Sequence, residues 1–292
     1  MNGTEFLIER RLRELDTDLH RRFTDAVFVL QNMLTDYLLI FPEYTDHSAG
    51  HSMVVIDLCG RLMGEEQIMR MNADELFVLL MGCYFHDIGM GVSAKDYPEF
   101  LSRIHLGNYF DTNDPENKTK LVRDFHHEFS ALFVLKYAKI FDLPSDEYAF
   151  AIAQAARGHR HSDLYNETDY PEELILPNGN TIHLPYLAAL LRIADELDVA
   201  ADRNPELIID MSLVTNEVQQ LEYAKHRAVR DLEITKDAIT MFVETTDETV
   251  FEGVVRLAGK IQATLEYCVS VARNRTPYEI TQTEVVVNRV KQ

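Results

Sequence analysis

The stretch that most limits what this chain can become is Tyr84-Phe85-His86-Asp87-Ile88-Gly89, which closely follows the apolar run Leu76-Phe77-Val78-Leu79-Leu80-Met81. A helix hydrophobic all round is a buried helix, so this one carries an imidazole and a carboxylate side by side into protein interior. Burying both groups is costly unless something pairs with them. A divalent cation is the least costly partner, because imidazole nitrogen and carboxylate oxygen are both good ligands for Zn, Mn or Fe, and the ion makes the ionised carboxylate tolerable. The plain alternative is an interior histidine bonded to a backbone carbonyl, with the aspartate capping a neighbouring helix. The rest of the chain decides between the two.

Several other segments bring groups of the same kind to helix ends. Asn72 is placed to cap the apolar helix, with Asp74 and Glu75 in its first turn to suit the dipole, and Gly89 and Gly91 end it. Upstream, Thr45 or Asp46 can cap a helix running to about Met63, which puts His47 and His51, four residues apart, on one face of its first turn. That pair suits metal ligation and a solvated helix start equally well. Downstream, residues 119–141 read as an amphipathic helix with Leu121, Phe125, Phe129, Leu132, Phe133 and Ile140 on its core side. It holds His126 and His127, and adjacency allows only one of them to face a common site. A helix from Asp146 ends in Arg157-Gly158-His159-Arg160-His161, where the i, i+2 spacing sets His161 past the glycine-assisted end. A helix over 186–201 brings Asp195 to the core boundary.

The remaining segments frame these. Residues 5–16 and 18–39 read as two helices, the second with a buried stripe of Phe23, Val27, Leu30, Leu34 and Leu38. Their expected role is packing or a homodimer contact, not chemistry. Pro42 stops the second helix. Residues 93–117 turn polar and irregular, with a short helix around 96–104 and a loop over 107–117 that reads equally as a substrate lid or a solvated loop. Asn178-Gly179 lies between short apolar flanks and predicts a small hairpin. Past Pro205, strands at 207–211, 232–235, 239–243 and 285–290 alternate with helices at 217–228 and 248–272, the order of a ferredoxin-like α+β unit. The expected organisation is therefore mainly α: N-terminal helices over 1–40 packed on the core, a helical metal-binding bundle over 41–204, and a small α+β domain over 205–292.

Composition narrows the function. With 48 acidic against 28 basic residues the net charge is -20, which repels polyanions at long range, so extended nucleic acid is not an expected partner. A small phosphorylated substrate stays compatible, because a bound cation reverses the field of a pocket. Cys59, Cys83 and Cys268 have no CxxC spacing and read as buried small apolar residues, not as a disulfide framework or a thiolate site. No apolar run is long enough to span a bilayer and the first residues show no signal-peptide pattern, so a cytoplasmic protein without a membrane partner is expected.

Taken together, His51, His86, Asp87, His126, His159, His161 and Asp195 form a series of ligand-type residues over successive helices, the way helical bundles assemble metal sites. In order and type this series resembles the HD superfamily of metal-dependent phosphohydrolases over roughly residues 40–203. The resemblance implies a helical HD-domain bundle in which His51, the His86-Asp87 doublet and Asp195 hold one cation. By analogy with two-metal members, His126, His159 and His161 add a second, with Asp87 as bridge; His126 is preferred to His127 because His126-x-x-x-Ser130 fits the family spacing better. The implied cofactor is one or two divalent ions, Mn, Fe, Zn or Ni, with Mg also compatible. The subfamily that cleaves cyclic di-GMP carries a lysine soon after the doublet, adjacent histidines and Gly-Tyr-Pro. Here Met90, the split His159 and His161, and Ser162-Asp163-Leu164-Tyr165 stand instead, so that substrate is not supported.

The function so implied is hydrolysis of a small phosphoester, expected to be a nucleotide. Two ions about 3.5–4 Å apart make hydroxide available near neutral pH and neutralise phosphoryl oxygens, so no nucleophilic side chain is needed. Asp87 is the expected catalytic bridge, and His47 and Arg157 are candidates for protonating the leaving group or binding phosphate. His47, Arg160 and Arg203 are candidates for holding the substrate. The alternative is a non-catalytic HD module that binds metal or nucleotide as a regulatory signal; a full ligand series argues against it.

Overall fold

The computed structural model describes residues 6–35, 49–106, 115–199 and 217–290. They form a mainly helical protein with two small sheets. The helices are α1 (Leu7–Leu15), α2 (Thr17–Thr35), α3 (Ala49–Arg70), α4 (Ala73–Phe85), α5 (Tyr97–Leu101), α6 (Pro115–Tyr137), α7 (Asp146–Arg157), α8 (Leu184–Glu196), α9 (Glu217–Ala228) and α10 (Glu248–Arg275). The strands are β1 (Leu174–Ile175), β2 (Thr181–Ile182), β3 (Val229–Ile234), β4 (Ala238–Val243) and β5 (Glu284–Arg289). No helix among the described residues is long and apolar enough to cross a membrane.

Helix α4 is the axis of the bundle. Residues 74–85 are all buried, as an all-round apolar sequence requires, and α1, α2, α3, α7 and α8 pack around it. Its start is fixed by a capping box: the Asn72 side chain accepts from Glu75 N at 2.9 Å, and Glu75 Oε2 accepts from Asn72 N at 3.2 Å. The hairpin of β1 and β2, turned by Gly179 at φ 86°, clamps the same end. Asn180 donates to Asp74 at 2.6 Å, Asn72 donates to Thr181 O at 2.9 Å, and the buried Glu75 accepts from His183 Nδ1 at 2.8 Å and from the Tyr278 hydroxyl at 2.6 Å. Tyr148 adds its hydroxyl to Asp74. Two carboxylates at a helix N-terminus are thus both satisfied and both aligned with the dipole.

At the N-terminal side, Asp16 caps α2 through Oδ1, and Phe23, Leu30 and Leu34 are buried as their spacing predicts, while Leu38 lies outside the described residues. Helix α3 breaks at Gly64 (φ 67°), one residue beyond the expected end at Met63, and then resumes to Arg70. All three cysteines are free and buried.

The C-terminal residues depart from expectation. Strand β3 pairs antiparallel with β4, with Leu232 opposite Met241, and β4 pairs directly and in parallel with β5, with Ile239 opposite Val285; α10 makes the crossover. A split β-α-β unit of the ferredoxin-like kind leaves room for another strand between its two parallel strands, and here they are hydrogen bonded to each other. The three described strands therefore do not form that arrangement; the strand expected at 207–211 and the boundary near 204 lie outside the described residues. Val254, Ile261, Leu265 and Cys268 of α10 join Ile239 and Met241 of the sheet and the bundle helices in one continuous core.

Candidate metal centre

Five elements converge beyond the C-terminal end of α4. His51 stands in the first turn of α3, His86 caps α4, His126 lies within α6, His159 follows the end of α7, and Asp195 is in the last turn of α8. Asp87 follows His86 at φ -102°, ψ 0°, in the sparsely allowed bridge region between helix and extended chain, where many active-site residues sit. The following 3-10 turn, Ile88–Gly91, lies directly on α6. A Cβ at Gly89 would come 2.1 Å from His126 O and 2.6 Å from Ser130 N, so only glycine permits this backbone approach. Ser130 seals the contact, donating to His86 O at 2.6 Å and accepting from Gly89 N at 2.9 Å.

Asp87 faces two groups at once. Its Oδ2 lies 3.5 Å from His51 Nε2 and 3.4 Å from His86 Nε2, and its Oδ1 lies 3.2 Å from His126 Nε2 and 3.6 Å from His159 Nε2. The carboxylate stands between two donor sets, His51-His86-Asp87 and Asp87-His126-His159, each with ligand atoms within 4.8 Å of one another. Asp195 Oδ1 joins the first set, 3.1 Å from His51 Nε2 and 3.6 Å from His86 Nε2.

The tautomers follow from what stands behind each ring. His86, His126 and His159 direct Nδ1 at the carbonyls of Cys83, Arg123 and Ala156, at 2.8, 2.7 and 2.6 Å. A carbonyl only accepts, so these Nδ1 atoms carry the proton and each Nε2 presents a lone pair to the centre. Nε2 atoms meet at 3.0 Å between His51 and His86 and at 2.9 Å between His126 and His159. Opposed lone pairs at such distances repel unless positive charge lies between them. Two donors each about 2.1 Å from one ion, at right angles to each other, stand about 3.0 Å apart, so the spacing suits a shared cation. The electrostatics agree. Burial pushes the His86 imidazole down, yet Asp87 and Asp195 outweigh it and hold it well above its ordinary value. Burial raises Asp195, and His51 and His86 outweigh that and hold it well below the usual carboxylate range. His159, buried and facing His126 and His86, is held well below its ordinary value. The donor set of four imidazoles and two carboxylates fits a divalent transition-metal ion.

The structure thus brings together His51, His86, Asp87, His126, His159 and Asp195, and leaves others apart. His127 is buried but turned away from the centre, its ring edge-on to His126 and its imidazole pushed down to about 2 by burial and nearby positive charge. His161 is exposed beyond the end of α7, with its ring against His127, and is not brought into either donor set. Arg157 is engaged in ion pairs, with both Glu128 oxygens at 2.8 Å and with Asp169 at 2.9 Å. These groups line a cleft of about 660 Å³ beside α6 and α7 together with His161 and Asp163. Arg160 is half-buried and makes no ion pair among the described residues. His47, Arg203 and most of the loop expected as a lid lie outside the described residues.

One residue of the site is absent from the sequence-based series. Asp198, 2% exposed, places Oδ2 2.5 Å from His51 Nδ1. Its spacing of three residues from Asp195 at a helix end was the available signal.

Compared with known proteins, residues 41–277 match a family model described as HD-CE. No curated protein and no solved structure matches.

Proposed function

The chain belongs to the HD-CE family, and on that footing we propose that it is a metal-dependent phosphohydrolase of the HD superfamily, acting on a small phosphoester, a nucleotide by preference. The observation that carries this reading is the position of Asp87, whose two oxygens face separate donor sets. A carboxylate with an imidazole pair on each oxygen is the arrangement that lets one group bridge two ions in a helix bundle, and a structural bundle has no comparable use for it. Divalent ions held by these residues would supply a Lewis acid for phosphoryl oxygens and bring the acidity of water into the neutral range.

The protein's own groups prepare that chemistry. Backbone carbonyls hold three of the rings with Nε2 toward the centre, so no reorientation is needed when a ligand arrives. Asp195 is kept ionised, and Asp87 is fixed by the turn that Ser130 and Gly89 lock onto α6. Arg160, directly after His159, is our candidate for holding a phosphoryl oxygen, since Arg157 already neutralises Glu128 and Asp169. The net charge of -20 makes phosphate binding dependent on the centre itself.

The test is chromatographic product analysis of nucleoside mono-, di- and triphosphates, cyclic dinucleotides and dinucleoside polyphosphates incubated with added Mn, against the same panel in chelator. Turnover that needs the metal and is lost in Asp87→Asn is expected. A protein that holds its metal and turns over none of these would be a binding module, and the reading would fail.

A further inference from the structure

We propose that Asp198 is a positioning residue for this centre: its carboxylate holds His51 by Nδ1 and makes Nε2 a stronger ligand than the other three imidazoles offer. The inference rests on the metal reading above. Three rings lean on the carbonyl three residues earlier in their own helix, at Cys83, Arg123 and Ala156. His51, in the first turn of α3, instead leans on a carboxylate 147 residues away. An N–H bonded to a carboxylate is charge-assisted, and it leaves more electron density on the far nitrogen than a carbonyl does.

The consequence is an asymmetric centre. The side of Asp87 Oδ2 has Asp195 beside it and Asp198 behind its histidine, whereas the side of Asp87 Oδ1 has His126 and His159 backed by neutral carbonyls. An ion on the His51 side is therefore held more tightly than one on the His126 side. Asp198 also ties two distant elements together. Its N–H donates to Asp195 O at 3.2 Å, so the same residue fixes the end of α8 that carries Asp195 and the start of α3 that carries His51.

The test is cobalt titration of the full chain against a competing chelator, following the d–d absorption, in wild type, Asp198→Asn, Asp198→Ala and His51→Ala. Asp198→Asn keeps the size and an acceptor but removes the charge. It is expected to weaken the tighter ion about 10- to 100-fold and shift its absorption band while the weaker ion binds as before, and Asp198→Ala to do at least as much. Unchanged affinity and spectrum in Asp198→Asn overturn the proposal, and so does equal weakening of both ions, which marks a merely structural loss. Failure of wild type to bind any divalent ion, or of His51→Ala to lose one, overturns the metal reading instead. Should Asp198→Asn not fold, the His51 Nδ1 proton of histidine-labelled wild type decides by NMR: a strongly downfield resonance is expected, and a shift like those of the carbonyl-bonded rings overturns the proposal.

Discussion

Replacing Asp87 by Asn separates a bridging carboxylate from one that serves a single ion. The two carboxylate oxygens stand 3.4 and 3.5 Å from one pair of imidazoles and 3.2 and 3.6 Å from the other. An amide keeps the shape, but it exchanges one oxygen for a group that cannot ligate and removes a charge that two ions in these donor sets would share. Removing one partner of a buried charge pair costs about 3–5 kcal/mol, or about two to three and a half powers of ten in affinity. Because the loss falls on both donor sets, Asp87→Asn should retain neither ion after gel filtration, whereas His126→Ala and His51→Ala should each retain one. Metal per chain by mass spectrometry reads this directly. If Asp87→Asn holds one ion as tightly as wild type does, the bridge is wrong and Asp87 belongs to a single site.

Other perturbations test the frame around the centre. Gly89→Ala places a methyl against the backbone of α6, 2.1 Å from His126 O, and should cost about 1–3 kcal/mol in denaturant unfolding while releasing the His126-side ion before the other. Asn72→Ala removes the cap of α4 and the bond to Thr181 O, a loss of about 1–2 kcal/mol by the same measurement with metal content unchanged. Arg157→Ala should cost about 1–2 kcal/mol through Glu128 and Asp169 and leave metal stoichiometry intact; lost turnover at unchanged stability would show that it touches substrate. Burial raises Asp96, but Lys136, Ser93 and Tyr137 outweigh it, so its folded pKa lies below 3.8. Its contribution is present above the unfolded value and lost as pH falls through the folded one. Lys136→Met should therefore flatten the wild-type loss of stability on acidification below about pH 4.

Much of this centre is written locally. His51, His86, Asp87, His126, His159 and Asp195 are polar groups at helix ends or on apolar faces, and each needs a buried partner, so type and position together mark them. Helix geometry alone says that one of His126 and His127 faces the site; the choice of His126 comes from the family spacing to Ser130, whose hydroxyl, four residues on, locks the doublet turn. Arg157 and His161 stand outside the two donor sets, and nothing in their own segment announces Glu128, Asp169 or the cleft that receives them. Asp198 was missed for the same reason in reverse. Its spacing from Asp195 hints at the site, but only the fold brings His51 to it. The pairing of β5 with β4 was hidden too, since short strands carry face alternation but not partner order, which the α10 crossover decides.

The enclosure of α4 on every side also sets how the centre can exchange its contents. Amide protons of a helix with no exposed face from residue 74 to 85 leave only when the whole molecule opens, so the wall that carries His86 should be among the slowest-exchanging backbone in deuterium, with or without metal. Ions then come and go through movement of side chains at a standing wall. Unlike small metal-dependent modules in which withdrawing the ion dissolves the fold, the apoprotein is expected to stay folded, and an unchanged far-UV circular dichroism spectrum in chelator would show it.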